Sequence, residues 1–480
     1  MCGVLRQLML LPLAFLSITP SCSAWNFHHQ LNGTTPSNGT PMNGSSSCPL
    51  ANGASSNPLQ VYTIAANNIT ASFIPYGARL ISLMVPDREG KMQDVIVGYD
   101  DPQDYVKDTL TNHTYFGCIV GRYANRIRNG TFVLDGTTYN TPKNELNKTQ
   151  TLHGGSVGYD QRNWTVTALS DNSITFTLFD SGYEHFPGDV INHVTFSVNS
   201  SYGLKRPNPQ AEFTARTISL SLTKKTPIML SPHIYWNLNA FKNETVLEDT
   251  LLQLPLSRRY VEVDSRLIPT GNIGNVSSSL NGTLDFTKGK LIGKDIKSAD
   301  GICGANCTGY DNCFIIDRPN NASDWTSSPQ TMVPAVNMSS VTTGINMLVT
   351  TNQQAIQIYS CNGQNGTIPV KSSQVARNKA SGDGNGTVVD KIEQYGCLVI
   401  ETEGWIDGIN NPDWGQDPFQ IYSPESGPAI NWATKGLLQY WCRLIEAIKA
   451  TRAVTKEGKV VPHKNNICKL FLVFCIKYYF

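Results

Sequence analysis

The sequence predicts an all-β protein, a large antiparallel β-sandwich or barrel, over residues 59–434. Three observations predict it. Short β-type runs in this interval are split again and again by turn formers. Two of the runs, Ser173–Phe179 (SITFTLF) and Ile218–Leu222 (ISLSL), alternate polar and apolar residues at period two, as a strand with one buried face does. Long amphipathic helical patterns are missing between residues 59 and 434, so no helical layer is on hand to cover a parallel sheet.

Taken in order, the chain opens with Arg6, an apolar run over Leu8–Leu16, and then Ser21-Cys22-Ser23-Ala24. That is the layout of a secretory signal peptide over residues 1–24, with cleavage after Ala24. Residues 25–58 are dominated by Asn, Gly, Ser, Thr and Pro and read as a disordered, glycosylated linker. Seventeen Asn-x-Ser/Thr sequons, among them Asn32, Asn68, Asn112, Asn163, Asn243 and Asn365, agree with a secreted, extracellular glycoprotein.

The β-type runs then begin, with Phe73–Gly77 and Asp94–Gly98 as examples. Thr131–Leu134, the turn pair Asp135-Gly136, and Thr137–Tyr139 make a hairpin signal. Residues 369–395 are polar and Gly-rich and read as an exposed insertion just before the Glu401 strand. The run Cys397–Ile400 is short, apolar and β-branched, a buried strand that ends at Glu401. Near the end, Asn431-Trp432-Ala433-Thr434 runs into Lys435, and past Thr434 the β character is expected to end. Residues 435–480 therefore read as a divergent tail, with a helical apolar pattern over Gly436–Val454.

A net charge of +1 and only 16% charged residues speak against a nucleic-acid partner. No apolar run reaches the roughly 18 residues that a membrane span needs, so stable membrane insertion is not expected. Of the twelve cysteines, Cys303 and Cys307 flank a short Gly-Ala-Asn and could pair in an oxidising compartment. No Cys/His set has zinc-site spacing, and neither a metal nor a cofactor is expected. Nothing in the sequence sets the oligomeric state.

Five stretches carry the chemistry. Glu401 sits where a buried strand gives way to a loop with Trp405, Asp407, Asn410, Asn411, Asp413 and Trp414. A carboxylate at such an edge is partly desolvated and becomes a better base. The two indoles suit the apolar face of a sugar ring, and their polar neighbours suit its hydroxyls. Gly121–Ile127 (GRYANRI) puts an amide beside a guanidinium, and Leu152–Gly155 (LHGG) puts an imidazole beside two glycines. Ser231–Leu238 (SPHIYWNL) sets a second histidine among aromatics, and Tyr310–Phe314 (YDNCF) supplies a carboxylate in an apolar setting. Taken singly, each has a bland reading: a packed core histidine, a surface arginine, a turn.

In this order, GRxANRI, LHGG, HxYxNL, YDNCF and ETxxWxDxxNxPxW resemble the aldose 1-epimerases, or galactose mutarotases, over residues 59–434. Tyr115–Gly117, Phe186–Gly188 and Pro269–Gly271 add to the resemblance. It implies a large antiparallel β-sandwich with the sugar in an open cleft. It also implies roles: Glu401 as general base, His233 as general acid, and His153 as the histidine near the ring oxygen. Asn125 and Arg126 match a substrate-contacting pair, Asp311 a carboxylate that holds sugar hydroxyls, and Gln357 a substrate-binding glutamine on a strand.

The implied reaction needs no cofactor. To interconvert anomers, a base takes the proton of the C1 hydroxyl while an acid protonates the ring oxygen. Rotation about C1–C2 and reclosure on the other face follow. A carboxylate with a reference pKa of about 4.3 and an imidazole at about 6.5 suit that exchange near neutral pH. Two rivals stand beside this reading. A sugar-phosphate epimerase would use Arg122, Arg126 and Arg128 as a phosphate cluster. A secreted carbohydrate-binding protein of the same fold would have lost catalysis.

Overall fold

A computed structural model describes residues 57–202, 209–318, 331–381 and 388–439. The signal-like segment, nearly all of the linker and residues 440–480 lie outside the described residues. Among the described residues no helix is long and apolar enough to cross a membrane.

Two antiparallel sheets face each other. The larger has nine strands, in spatial order Thr165–Leu169, Ser173–Ser181, Asp189–Tyr202, Pro209–Ser221, Ala429–Gln439, Ile345–Thr351, Val333–Ser340, Thr250–Gln253 and Lys290–Leu291. The smaller has six: Ile234–Trp236, Leu398–Glu403, Ala355–Tyr359, Asp311–Ile315, Arg259–Val263 and Pro269–Asn275. Phe196, Phe213, Phe314, Ile356, Ile358 and Ile400, drawn from both sheets, meet in one buried cluster. A four-stranded sheet, Tyr62–Ala66 to Met92–Asp94, packs on that cluster, with Phe73 stacked on Phe196 at 4.8 Å. The Asp-Gly hairpin forms as expected: Thr131–Leu134 pairs with Thr137–Asn140, and both turn residues have positive φ (Asp135 49°, Gly136 77°).

The period-two rule positions the site. Ile356 and Ile358, and likewise Leu398 and Ile400, point into the sandwich core. Residues between them face the other way: Gln357 and Tyr359, then Val399, Glu401 and Glu403. On the next strand Phe314 faces the core, so Asp311, Cys313 and Ile315 share the face of Gln357. Asn431 ties the two sheets together, since its amide donates to the Leu230 carbonyl at 2.8 Å and its Oδ1 accepts from Thr402 Oγ1 at 3.2 Å.

Three sequence expectations change. The β character does not end at Thr434. Ala429–Gln439 is the middle strand of the nine and pairs on both sides, through Leu437 with Ala211 and through Gln439 with Ile345. Lys435 keeps the inward phase of Asn431, Ala433 and Leu437 and is buried, so a cation sits where the alternation calls for an apolar residue. Residues 436–439 accordingly belong to the sandwich and are not helical.

The 369–395 segment is not simply exposed. It contains a helix, Ser372–Ser381, and buried polar groups that find partners outside the segment. Lys371 Nζ meets Asp94 Oδ2 at 2.6 Å, Gln374 Nε2 donates to Gln93 Oε1 at 2.9 Å, and Asn378 Nδ2 donates to the Ala240 carbonyl at 2.9 Å. Ile368, Val370 and Ile392 pack with Tyr235 and Val399, on the sheet face that carries Glu401. The segment is closed at its base by a disulfide that composition did not reveal, Cys361–Cys397. The strand preceding Glu401 also differs in extent, running two residues past it to Glu403. The Cys303–Cys307 disulfide is present.

Candidate active site

Strand register brings Glu401 and His233 together. Ile234 pairs with Ile400, which sets the preceding residue, His233, beside the following one, Glu401. His233 Nε2 lies 3.5 Å from Glu401 Oε1, and both residues are buried. Glu401 Oε2 and His233 Nδ1 have no hydrogen-bond partner among the described residues. Gln357 stands opposite Glu401 across the sheet and donates Nε2 to Asp311 Oδ1 at 2.7 Å.

Asn125 and His153 arrive from a short ladder in which Arg126 pairs with Leu152. Just past it both backbones turn left-handed, with φ of 57° at Asn125 and 50° at His153. Gly154 follows His153 at φ +91°, and a Cβ there would stand 2.1 Å from the Gly121 carbonyl oxygen. The Asn125 N–H donates to His153 Nδ1 at 3.1 Å. His153 is thereby turned edge-on to His233, with ring centroids 5.1 Å apart.

Arg126 occupies the middle. Its Nε and Nη2 fork onto Glu145 at 2.9 and 2.8 Å, its Nη1 donates to Asn125 Oδ1 at 3.1 Å, and Nη2 lies 3.7 Å from Asp311 Oδ2. All seven residues singled out from the sequence, Glu401, His233, Asn125, Arg126, His153, Asp311 and Gln357, therefore converge on one face of the smaller sheet.

Burial governs the charges here. It pushes the Glu401 carboxyl well above the usual carboxylate range, and the charges of Glu403 and Asp311 push it further. It pushes His233 down to about 3 and His153 well below the ordinary imidazole value. Asp311 is raised by burial, an effect that Arg126 opposes. The ordinary order, with the carboxylate more acidic than the imidazole, is inverted. In the protein alone the proton of the pair rests on Glu401, and His233 is a neutral imidazole.

His153, His233 and Glu401 also bring three donor atoms within 4.8 Å of one another, a spacing that raises the question of a cation. The N–H that His153 Nδ1 accepts answers it. A neutral imidazole accepting at Nδ1 carries its proton at Nε2, so the nitrogen left over is a hydrogen-bond donor, suited to an oxygen, and not a metal ligand.

A buried carboxyl–imidazole pair ringed by hydrogen-bonding side chains fits a polyhydroxylated molecule that exchanges protons with it. Residues 60–421 match the family described as aldose 1-epimerase. The chain belongs to the aldose 1-epimerase family. It is similar to a probable aldose 1-epimerase of Arthroderma benhamiae, 97% identical over 434 residues, which are 90% of this chain and 99% of that protein. A galactose mutarotase of Sus scrofa is 29% identical over 361 residues, covering 74% of this chain and 88% of its own. Among solved structures, an aldose epimerase homologue from C. elegans aligns with a TM-score of 0.63 at 25% identity, covering 80% of this chain and 99% of its own. The chain is thus an isomerase of carbohydrate metabolism with a galactose mutarotase-like fold.

Sequence reasoning missed several parts of this epimerase's site. Glu403 is one, although the spacing in Glu401-Thr402-Glu403 was the available signal. Glu145, which anchors Arg126, lies in a loop and carries no pattern of its own. Tyr115, with φ of 58°, sets its ring 4.7 Å from that of His153 and 5.7 Å from that of His233.

Trp405 and Trp414 pack on each other at 5.6 Å, in a cluster with Cys313 and Ile315 on the sheet face that carries Gln357. The three arginines form no phosphate cluster. Arg122 is buried with its Nε 2.9 Å from Asp180 Oδ2, Arg126 serves Glu145, and Arg128 donates to the Pro269 carbonyl.

Proposed function

We propose that this epimerase interconverts the α and β anomers of hexoses such as glucose and galactose. Glu401 takes the proton of the C1 hydroxyl and His233 delivers one to the ring oxygen. His153, Asn125, Arg126, Asp311 and Gln357 hold the sugar. One observation carries the reading: a buried carboxyl and a buried imidazole 3.5 Å apart, each with an atom left unpartnered among the described residues. Ring opening starts from the less favoured placement of the shared proton, Glu401 ionised and His233 protonated. Glu401 takes the C1 proton and His233 gives its own to the ring oxygen, leaving Glu401 protonated and His233 neutral. That is the distribution which burial already favours, so the cleft suits the open-chain aldehyde. The engagement of the three arginines supports a neutral sugar over a sugar phosphate.

Polarimetry on α-galactose, α-glucose and glucose 6-phosphate tests the proposal. Fast mutarotation of the first two is expected. Selective turnover of the phosphate overturns the substrate class, and sugar binding without turnover favours the carbohydrate-binding reading.

The same proposal places the chain outside the cell as an N-glycosylated protein. The signal-like start supports this, as do the exposed sequon asparagines Asn68, Asn112, Asn163 and Asn365. An amidase that strips N-glycans should lower the apparent mass of protein recovered from the medium. Protein that stays in the cytosol at an unchanged mass counts against it.

A further inference from the structure

Glu403 is wholly buried on the strand that carries Glu401, and the chemistry assigned so far does not use it. It follows Glu401 by two residues, so the alternation that aims Glu401 at the cleft aims Glu403 the same way. The residue opposite it across the sheet is Ala355, whose small side chain leaves the carboxyl room. Glu403 Oε1 accepts from Asn125 Nδ2 at 3.0 Å, and Oε2 has no hydrogen-bond partner among the described residues. Among the described residues no cation pairs with it directly, and the nearby Arg126 is forked onto Glu145.

We propose that Glu403 is a positioning residue: through Asn125 it holds Arg126 and His153 in place around the sugar, and through its own charge it sets how firmly Glu401 keeps a proton. The proposal rests on the reading of Glu401 as the base. Three contacts of Asn125 carry the first half. Its Nδ2 is fixed by Glu403, its Oδ1 receives Arg126 Nη1 at 3.1 Å, and its N–H orients the His153 ring at 3.1 Å. The acceptor on Glu403 decides which end of the amide faces Arg126. Without it the amide is free to turn its NH2 toward the guanidinium, donor against donor.

The second half follows from the strand. Two carboxyls two residues apart on one buried face cannot both ionise cheaply. Burial lifts Glu403 to about 8, against the opposing hydrogen bond from Asn125, so it is a neutral acid in neutral solution. Its charge is the largest effect on Glu401 after burial itself. Ionising Glu403 above that point therefore tightens the hold of Glu401 on its proton.

The test compares Glu403→Gln and Glu403→Ala with the wild type between pH 6 and pH 9.5. It reads galactose affinity by calorimetry separately from kcat/KM by polarimetry. Alanine removes the acceptor and should weaken galactose binding about tenfold, the scale of a lost hydrogen bond in a charged network. Glutamine keeps an oxygen toward Asn125 but cannot ionise. It should recover most of the lost affinity and abolish the inflection that the wild type shows where Glu403 titrates, at about 8.

Folded Glu403→Ala with wild-type affinity overturns the positioning role, and an inflection that survives in Glu403→Gln overturns the charge role. If the alanine variant does not fold, the Glu403→Gln profile decides alone. A wild type that binds galactose without anomerising it refutes the functional reading, while the affinity comparison still judges Glu403.

Discussion

The imidazole of His233 meets the carboxyl of Glu401 at 3.5 Å in a setting that makes the carboxyl the better holder of a proton. The pair carries one proton over a wide range of pH. Two protons require charging a buried imidazole, which burial holds off until about 3. None requires ionising a buried carboxyl next to two other acids, Glu403 and Asp311.

The pH dependence of kcat/KM should therefore be broad, stepped only at about 8 where Glu403 titrates, and not a narrow bell. Ordinary values would confine activity to between about 4.3 and about 6.5, with Glu401 on the acid limb and His233 on the alkaline limb. Here the limbs trade places. The acid limb belongs to His233 gaining a proton, and the alkaline limb, well above the usual carboxylate range, belongs to Glu401 losing one. A stopped-flow polarimetric profile that collapses on either side of pH 5.5 would show both groups titrating near their ordinary values.

Substitution of the pair should lower kcat and spare binding. Glu401→Gln keeps the size of the side chain but cannot accept the C1 proton. His233→Asn removes the group that serves the ring oxygen. Each should reduce kcat by roughly 10²–10⁴-fold. Because both variants preserve polar groups in the cleft, galactose affinity by calorimetry should change far less. A Glu401→Gln protein that is folded and retains wild-type kcat rules Glu401 out as the base.

Much of this site was legible because its residues announce themselves by type and order. Glu401 stands out at the end of an apolar run, and His153 stands out before two glycines. The hairpin at Asp135-Gly136 is local chemistry and needs no tertiary help. Other features depend on partners remote in sequence. Glu403 looks like one more strand residue until Asn125, far upstream, donates to it. The insertion at 369–395 has the composition of a loop, yet Gln374 and Asn378 are buried because Gln93 and Ala240 satisfy them. At Lys435 the sequence points to the end of the β character, because the tail past Thr434 is basic and helical in its apolar pattern. Only the strands on either side show that the alternation runs on through Lys435.

His153 should behave as a hydrogen-bond donor to the sugar and not as a metal ligand. His153→Asn should raise KM about tenfold, the scale of one hydrogen bond to a polar ligand, with a smaller effect on kcat. Prolonged treatment of the wild type with a chelator should leave kcat unchanged. Activity that is lost to the chelator and restored by zinc would mean that Nε2 of His153 carries no proton, against the tautomer that the Asn125 N–H imposes.

Lys435 gives the last prediction, on stability. It is buried in the middle strand of the larger sheet, with Nζ 5.6 Å from the Phe213 ring centroid and 6.0 Å from that of Trp236. Burial lowers its pKa to about 8. Below that pH the fold carries a buried ammonium, and Lys435→Met should raise stability by roughly 1–3 kcal/mol. Above it the folded chain has shed a proton that the unfolded chain still holds, up to the ordinary lysine value of about 10.4. Wild-type stability then rises with pH relative to the variant, so the advantage of Lys435→Met should shrink across that window. Ending the chain after Thr434 is a different matter. It removes the pairings of Lys435 with Phe213 and Val349 and of Leu437 with Ala211 and Met347, which opens the sheet at its centre. That truncation should be insoluble or melt far below the full chain, whereas Lys435→Met should melt above it at pH 7. If the truncated protein melts cooperatively at the wild-type temperature, the closing strand contributes nothing beyond Thr434.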